Sequence, residues 1–73
     1  MNKNKLESLM KLHGDTGKSL SEYLGISTSR FSLKLNEKDG AEFTKGEMTK
    51  IIEKYNLNEM QIFDIFFEHN VSF

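Results

Sequence analysis

The chain has 73 residues, of which 37% are hydrophobic and 29% charged, and its formal net charge at pH 7 is −1. This length allows one domain (residues 1–73) with a single modest core, near the size at which stability becomes marginal without a partner subunit. The absence of cysteine excludes a disulfide framework and a thiolate metal site, and without a bilayer-length apolar run or a signal-peptide core we expect a cytoplasmic chain rather than a membrane protein.

A first helix is predicted from about Asn4 to His13. Side chains with an apolar face recur at helical spacing at Leu6, Leu9, Met10 and His13. Asn4 and Glu7 have the spacing of a capping box, and Gly14 then ends the helix. His13 has only one carboxylate near it in sequence, Asp15, so we interpret it as a helix-end residue favoured by the dipole rather than as a metal ligand.

The stretch from Thr16 to Asn36 is predicted to form two short helices joined by a tight turn. Thr16 supplies a side-chain oxygen that can cap the first of these helices. Its apolar face is formed by Leu20, Tyr23 and Leu24. Gly25 follows at the position where the end of a helix favours a residue that tolerates positive φ.

The second of these helices is predicted to begin after Ser27, which caps it, while Ile26 and Phe31 have the spacing of a hydrophobic staple. Phe31 and Leu35 lie four residues apart and should turn inward together. The outward face then consists of small polar side chains and one leucine, at positions Thr28, Ser29, Ser32, Leu33 and Asn36, with Arg30 and Lys34 at its flanks.

This stretch resembles the helix-turn-helix of the phage repressor and Cro superfamily, the lambda-repressor-like or xenobiotic-response-element type of regulator. The resemblance is carried by Thr16, Leu20, Leu24-Gly25-Ile26-Ser27 and Phe31-Ser32-Leu33-Lys34-Leu35-Asn36. The last of these phrases is similar to small regulators encoded by phages and integrated elements of low-GC Gram-positive bacteria.

The resemblance covers most of the chain and has implications for fold and function. It implies an all-α, compact bundle of about five helices with the helix-turn-helix at helices 2 and 3. It also implies a transcriptional regulator, repressor-like or Cro-like, that binds double-stranded DNA at a pseudo-palindromic operator. Such proteins bind as symmetric homodimers to two half-sites about 34–36 Å apart.

The outward face of the second motif helix is the predicted surface for reading bases in the major groove. The residues predicted to contact bases are Thr28, Ser29, Arg30, Ser32 and Leu33. The hydroxyl groups can hydrogen-bond base edges, and Leu33 can contact a thymine methyl group. Arg30 can bind guanine O6 and N7 with two hydrogen bonds, or it can bind a phosphate instead. The alternative is that this face is simply solvated.

Lysines beside the motif are the candidates for contacts with DNA phosphates. They are Lys18, Lys34, Lys38 and Lys45. Lys18 lies at the start of a helix, where backbone amides also favour an anion. The resemblance implies that the loop containing Lys38 and the start of the next helix, with Lys45, lie along the DNA backbone. The alternative for these two lysines is that they are solvated and bind nothing.

A fourth helix is predicted to start at Thr44, after a polar loop over residues 36–42. Phe43 and Met48 have the spacing of a hydrophobic staple, and Thr44 and Glu47 that of a capping box. The buried stripe of this helix is predicted to be Met48, Ile51, Ile52 and Tyr55.

A fifth helix is predicted from Asn58 to about His69, because Asn58 and Gln61 repeat the capping box and Leu57 and Ile62 repeat the staple. This segment and the tail carry more apolar surface than one stripe of a terminal helix can bury in so small a core. We therefore predict a dimer interface formed by Phe63, Phe66, Phe67, Val71 and Phe73. The alternative is that these side chains close the core of a monomer.

The charge distribution leaves two functions open. Residues 1–34 carry six basic and three acidic side chains, whereas residues 35–73 carry four basic and eight acidic ones. The positive half contains the predicted recognition helix, and the negative half can face away from DNA. A rival interpretation keeps the fold but uses the acidic half and the aromatic last helix to bind another regulator, as an antirepressor does.

Several features discriminate between these two functions, and one of them, the formal net charge of −1, favours the rival. Gly17 favours the rival because the family often has a glutamine there that contacts a phosphate, and Leu33 because a polar base-reading side chain is common there. Arg30, Lys34 and the lysines near the N-terminus favour DNA. A partner-binding antitoxin is a further alternative, although no toxin-binding tail is recognisable.

No arrangement of residues in the sequence suits catalysis. No serine has a plausible base and orienting group, and there is no cysteine nucleophile. The run from Gly14 to Ser19 has two residues between its glycines where a phosphate-binding loop needs four. We therefore expect a protein that is not an enzyme and that needs no cofactor or metal.

Overall fold

Five α-helices and the short connections between them form the fold. The computed structural model describes residues 1–67, and within that range there is no β-strand. The helices are α1 (Lys3–Leu12), α2 (Gly17–Leu24), α3 (Thr28–Leu35), α4 (Lys45–Tyr55) and α5 (Glu59–Ile62). A 3₁₀ turn occupies Lys38–Gly40, and α5 continues as a π-helical turn over Phe63–Phe67. The predicted all-α bundle, with α2 and α3 in a helix-turn-helix arrangement, is confirmed.

Three capping boxes begin helices in the structure. The Thr44 hydroxyl accepts from the Glu47 amide at 3.1 Å, while the Glu47 carboxylate accepts from the Thr44 amide at 2.8 Å. The same reciprocal pairing joins Asn58 with Gln61. Thr16, predicted as a cap, forms the third box, with Ser19. Each box satisfies amides that the first helical turn leaves without a partner.

The start of α1 differs from the prediction. Asn2, not Asn4, is the N-cap, and its side-chain oxygen accepts from the amide of Lys5 at 3.2 Å. The backbone amide of Asn2 donates to the carbonyl of Ile65 at 2.7 Å. This long-range hydrogen bond holds the chain at Asn2 and sets where the helix begins.

The core contains side chains from α1 to α4, from the loops on either side of α4 and from the π-helical turn. α2 packs against both α3 and α4, and α1 packs against the π-helical turn. The buried apolar side chains are Leu6, Met10, Leu20, Leu24, Phe31, Leu35, Phe43, Ile51, Tyr55, Leu57, Ile65 and Phe66. Of the predicted α4 stripe, Ile51 and Tyr55 are buried, whereas Met48 and Ile52 are partly buried against the core.

Tyr23 does not join the apolar face that was predicted for α2. Its ring is exposed, and the Lys54 ammonium nitrogen lies 4.7 Å from the ring centroid. Gly17 lies three residues before the buried Leu20, and Tyr23 lies three residues after Leu20, at the edge of the buried face of α2. A bulky ring at the Tyr23 position therefore reaches the surface. The cation beside the ring adds a favourable electrostatic contact.

A polar cluster joins the corner between α1 and α2 to the end of α4. The Tyr55 hydroxyl donates to Asp15 Oδ2 at 2.6 Å, and the Ser19 hydroxyl donates to Asp15 Oδ1 at 2.9 Å. The hydrogen bond from Tyr55, supported by Ser19 and the nearby Lys54 ammonium, holds the pKa of Asp15 below its ordinary value despite partial burial. The His13 ring lies on Tyr55 with centroids 4.7 Å apart, in agreement with its predicted place at the end of α1.

None of the helices within residues 1–67 combines the length and the apolar character that crossing a membrane requires.

Candidate nucleic-acid interface

The turn between α2 and α3 sets the geometry of the candidate interface. Gly25 ends α2 with φ of 76°, a left-handed conformation in which a side chain would be strained. Ser27 then caps α3, its hydroxyl accepting from the amide of Arg30 at 3.1 Å. The buried Ser21 hydroxyl donates to the carbonyl of Lys18 at 2.8 Å and lies 3.4 Å from the hydroxyl oxygen of Thr28. A small side chain at Ser21 therefore allows α2 to pack closely on the start of α3.

The orientation of α3 agrees with the predicted division into an inward and an outward face. Phe31 and Leu35 are buried in the core. The five predicted base-contact residues are all exposed: Thr28, Ser29, Arg30, Ser32 and Leu33. The structure thus leaves three short hydroxyl side chains, one guanidinium group and one aliphatic side chain of α3 exposed to solvent.

The C-terminal end of α3 is tied to the start of α1. The Asn36 amide group donates to the carbonyl of Ser32 at 2.8 Å, and the Lys3 ammonium donates to the Asn36 side-chain oxygen at 2.6 Å. Lys3, one of the lysines near the N-terminus, therefore lies as an exposed cation beside the outward face of α3, a position that the sequence did not predict. No local pattern could have identified it, because its position depends on how α1 packs.

Lys34 lies elsewhere than predicted. Its side chain is only 8% exposed, and its ammonium donates to both carboxylate oxygens of Glu47, at 2.6 and 2.8 Å. Lys34 follows Phe31 by three residues and so shares its inward face, and Glu47 supplies a charge there that compensates the buried ammonium. The predicted position at the flank of the outward face is wrong, and a phosphate contact by Lys34 would require this ion pair to break.

The ionisation of Glu47 reflects this pairing. Burial is the largest influence on its pKa and acts to raise it. The hydrogen bonds from the Lys34 ammonium and the Thr44 amide outweigh burial, so the pKa of Glu47 lies below its ordinary value. The carboxylate is therefore charged at neutral pH and holds both groups at once.

The other three predicted phosphate contacts lie at the surface. Lys18 is in the first turn of α2, Lys38 begins the 3₁₀ turn, and Lys45 is the first residue of α4. The 3₁₀ turn is irregular: Glu37 and Asp39 both have positive φ, 50° and 55°. Such conformations are uncommon for residues with side chains and place Lys38 on a sharply folded connection between α3 and α4.

The aromatic residues predicted to form a dimer interface divide into two groups. Phe66 is 9% exposed and belongs to the monomer core, which corrects its predicted place in the interface. Phe63 and Phe67 are 58% and 53% exposed, and Met60 on the same segment is 73% exposed. We call Met60, Phe63 and Phe67 the apolar patch. The remaining two residues of the predicted interface, Val71 and Phe73, and the predicted helix end at His69 lie outside the described residues.

Comparison of the chain with protein-family models, with curated proteins and with solved structures gave no match.

Proposed function

We propose that the chain is a sequence-specific DNA-binding regulator whose α3 enters the major groove. The observation that carries this proposal is the outward face of α3, which presents only short polar side chains, Arg30 and Leu33 on a helix whose other face is buried. A major groove of DNA admits an α-helix, and these side-chain types hydrogen-bond base edges or contact thymine methyl groups. The helix-turn-helix supplies a rigid support for such a face.

In this proposal Arg30 has the largest share of the sequence specificity. It is exposed in the first turn of α3, the part of a recognition helix that reaches base edges in this class of motif. A guanidinium group can bind guanine O6 and N7 in a bidentate manner. Thr28, Ser29 and Ser32 then contact neighbouring base edges, and Leu33 packs against a thymine methyl group.

Exposed lysines around α3 supply the contacts with the DNA backbone. Lys18 lies in the first helix of the motif, and Lys38 and Lys45 follow the motif in sequence. We add Lys3 because it is hydrogen-bonded to Asn36 at the end of α3. Each phosphate neutralised by a lysine releases counterions and makes binding more sensitive to salt. These contacts position the protein, whereas the α3 face selects the sequence.

The proposed regulator acts as a homodimer of the repressor or Cro type. The apolar patch leaves three large side chains exposed on the last described segment, and burying them against a second copy would remove apolar surface from water. A two-fold dimer matches a pseudo-palindromic operator with half-sites about 34–36 Å apart. Binding over a promoter would occlude it, as phage and mobile-element repressors do.

The proposal is tested by selecting duplexes that the purified protein retains from a pool drawn from its genomic neighbourhood. Fluorescence anisotropy of a retained duplex and of a scrambled duplex of equal length then gives both affinities across a salt series. We expect tight, salt-sensitive retention of one pseudo-palindrome and weaker binding of the scrambled control. Absence of binding to any duplex at low salt, where non-specific contacts are strongest, would contradict the proposal.

A second candidate function is a protein-binding module of the antirepressor type. The observation that favours it is the exposure of Met60, Phe63 and Phe67 in the acidic half of the chain, together with the withdrawal of Lys34 from the α3 face. If the protein binds no duplex, a regulator with an apolar and basic surface becomes the expected partner. Binding to that partner would then be lost in a Phe63→Glu variant.

A further inference from the structure

Two contacts attach α3 to the beginning of α4. The rings of Phe31 and Phe43 have centroids 5.7 Å apart and are tilted by 56°. One turn further along α3, the Lys34 ammonium binds the carboxylate of Glu47, which lies one turn beyond Phe43. The packing of α2 on α3 and the hydrogen bond between Lys3 and Asn36 also hold α3, but they do not join it to α4. A second contact, displaced by a helical turn, fixes the direction of α3 relative to α4.

The ion pair is well suited to fixing the direction of α3, because the Glu47 carboxylate has two partners. Glu47 Oε1 accepts from the Lys34 ammonium at 2.6 Å and also from the Thr44 amide at 2.8 Å. The same atom therefore caps α4 and holds α3. Both side chains are largely buried, with 8% and 12% of their surfaces exposed, so water competes little for these hydrogen bonds.

A contribution to the stability of the fold is a weak explanation for a buried ion pair at this place. Removing two charges from water is costly, and well-packed apolar residues in the same place often stabilise a protein equally or better. The Lys34 ammonium donates to both carboxylate oxygens of Glu47, and these hydrogen bonds depend on distance and angle in a way that an apolar contact does not. This directional property is useful where the relative position of two helices matters.

We propose that Lys34 and Glu47 are positioning residues, which set the direction of the recognition helix relative to the phosphate-binding start of α4. This inference rests on the proposed DNA-binding function. Base contacts from α3 and a phosphate contact from Lys45 must be made at the same time, and the connection between these helices contains the irregular turn at Lys38–Gly40. The ion pair supplies the fixed spacing that this connection does not.

The test compares two variants that remove lysine charges from different environments. Lys34→Met together with Glu47→Gln removes the ion pair without leaving a buried charge, and glutamine at that position preserves the capping box with Thr44. Lys45→Met is the contrasting variant, because it removes one positive charge from an exposed side chain, whereas the double variant leaves the net charge unchanged. Both are measured with the duplex that the unaltered protein selects and with a scrambled duplex, across a salt series.

We expect the double variant to bind the selected duplex about tenfold more weakly, the scale of one lost base contact, while its salt slope stays unchanged. Its affinity for the scrambled duplex should also stay unchanged. Lys45→Met should weaken both duplexes alike and reduce the salt slope by about 0.9, the value for one phosphate. A merely structural role for the pair would change the unfolding midpoint but not the preference between duplexes.

A second measurement uses the unaltered protein and does not depend on whether a variant folds. The lysines are acylated with an amine-reactive reagent, with and without the selected duplex, and the modified positions are identified by mass spectrometry. Lys34 should react slowly in both states because it is buried and paired, whereas Lys45 should react quickly and be protected by DNA.

Three outcomes would overturn the inference while leaving DNA binding intact. They are a salt slope that falls in the double variant as in Lys45→Met, an undiminished affinity of the folded double variant for the selected duplex, and a reactive Lys34 that DNA protects. The first and third would make Lys34 a phosphate contact, and the second would make the pair purely structural. A protein that binds no duplex at all would instead defeat the proposed function itself, and this inference with it.

Discussion

The outward face of α3 and the apolar patch on the last described segment differ in what they can recognise. The α3 face offers hydroxyl groups and one guanidinium, whose hydrogen bonds have fixed directions. The apolar patch, with Met60, Phe63 and Phe67, offers apolar contact area, and the hydrophobic effect that acts on it has no preferred direction. A directional surface can distinguish one sequence of bases from another, whereas an apolar surface can hold a partner that has a matching shape. In the proposed function the first surface selects DNA and the second assembles the dimer.

The largest expected effect comes from placing a charge on the apolar patch. Phe63→Glu should dissociate the proposed dimer and weaken binding to a two-site operator by about 100-fold, because the second half-site is then no longer bound at a high effective concentration. Gln61→Glu is the control, since it adds the same charge to α5 and preserves the capping box. Sedimentation and anisotropy measure the two effects. A Phe63→Glu variant that remains a dimer would move the interface away from this patch.

A smaller effect is expected at the directional surface. Arg30→Ala should reduce operator affinity by about 1–3 kcal/mol and relax the base preference at one position of each half-site. Lys11→Ala removes the same charge from an exposed site at the far end of α1 and should leave base preference unchanged. Selection from a randomised duplex pool distinguishes these results. An Arg30→Ala variant with unaltered preference but a reduced salt slope would make Arg30 a phosphate contact.

The polar cluster at Asp15 lies on neither surface. A substitution in this cluster therefore tests the stability of the fold that supports both surfaces. Asp15→Asn should lower the free energy of unfolding by about 1.5 kcal/mol, since hydrogen bonds to a charged group are lost. The pKa of Asp15 is lowered in the folded protein, so its stabilising effect is complete above the ordinary value near 4 and is lost as pH falls through the lowered value. Urea titrations from pH 2 to pH 6 should therefore show a shallower loss of stability in the variant.

The binding results for this variant are equally informative. The affinity of Asp15→Asn for DNA should match that of the unaltered protein when it is measured at urea concentrations well below the unfolding midpoint. A change in base preference on Asp15→Asn would mean that the cluster controls the orientation of α2 and, through it, of α3.

The smallest expected effect concerns a single phosphate contact. Lys38→Ala should weaken binding to all duplexes alike and reduce the salt slope by about 0.9, without changing base preference. Lys11→Ala again provides the control with equal charge. If the slope is the same in Lys38→Ala and in the unaltered protein, the 3₁₀ turn does not reach the DNA backbone.

Features that depend on residues three or four positions apart could be predicted from the sequence. The caps at Thr16, Thr44 and Asn58 are of this kind, because each joins a side chain to an amide in the same helical turn. The turn at Gly25 and the burial of Phe31 follow from equally local rules.

Features that depend on packing could not be predicted in the same way. Lys34 lies three residues after Phe31, a spacing that is compatible with the edge or the inward face of α3, and only the packing of α4 brings Glu47, thirteen residues further on, to its ammonium. The hydrogen bond between Lys3 and Asn36 depends on how α1 packs against α3. Phe66 is buried on the π-helical turn that continues α5, and no sequence rule applied to this segment indicated that change of helix type.

The hydrogen bond from the Asn2 amide to the Ile65 carbonyl has a consequence for the order of folding. It joins two positions near opposite ends of the described chain, so forming it in an unfolded chain would cost nearly the full entropy of closing one long loop. The helical hairpin of α2 and α3 closes much shorter loops and can form earlier. We expect the Asn2 amide to gain protection from hydrogen exchange last during refolding, after the amides of α2 and α3, so that α3 is in place before the molecule is closed.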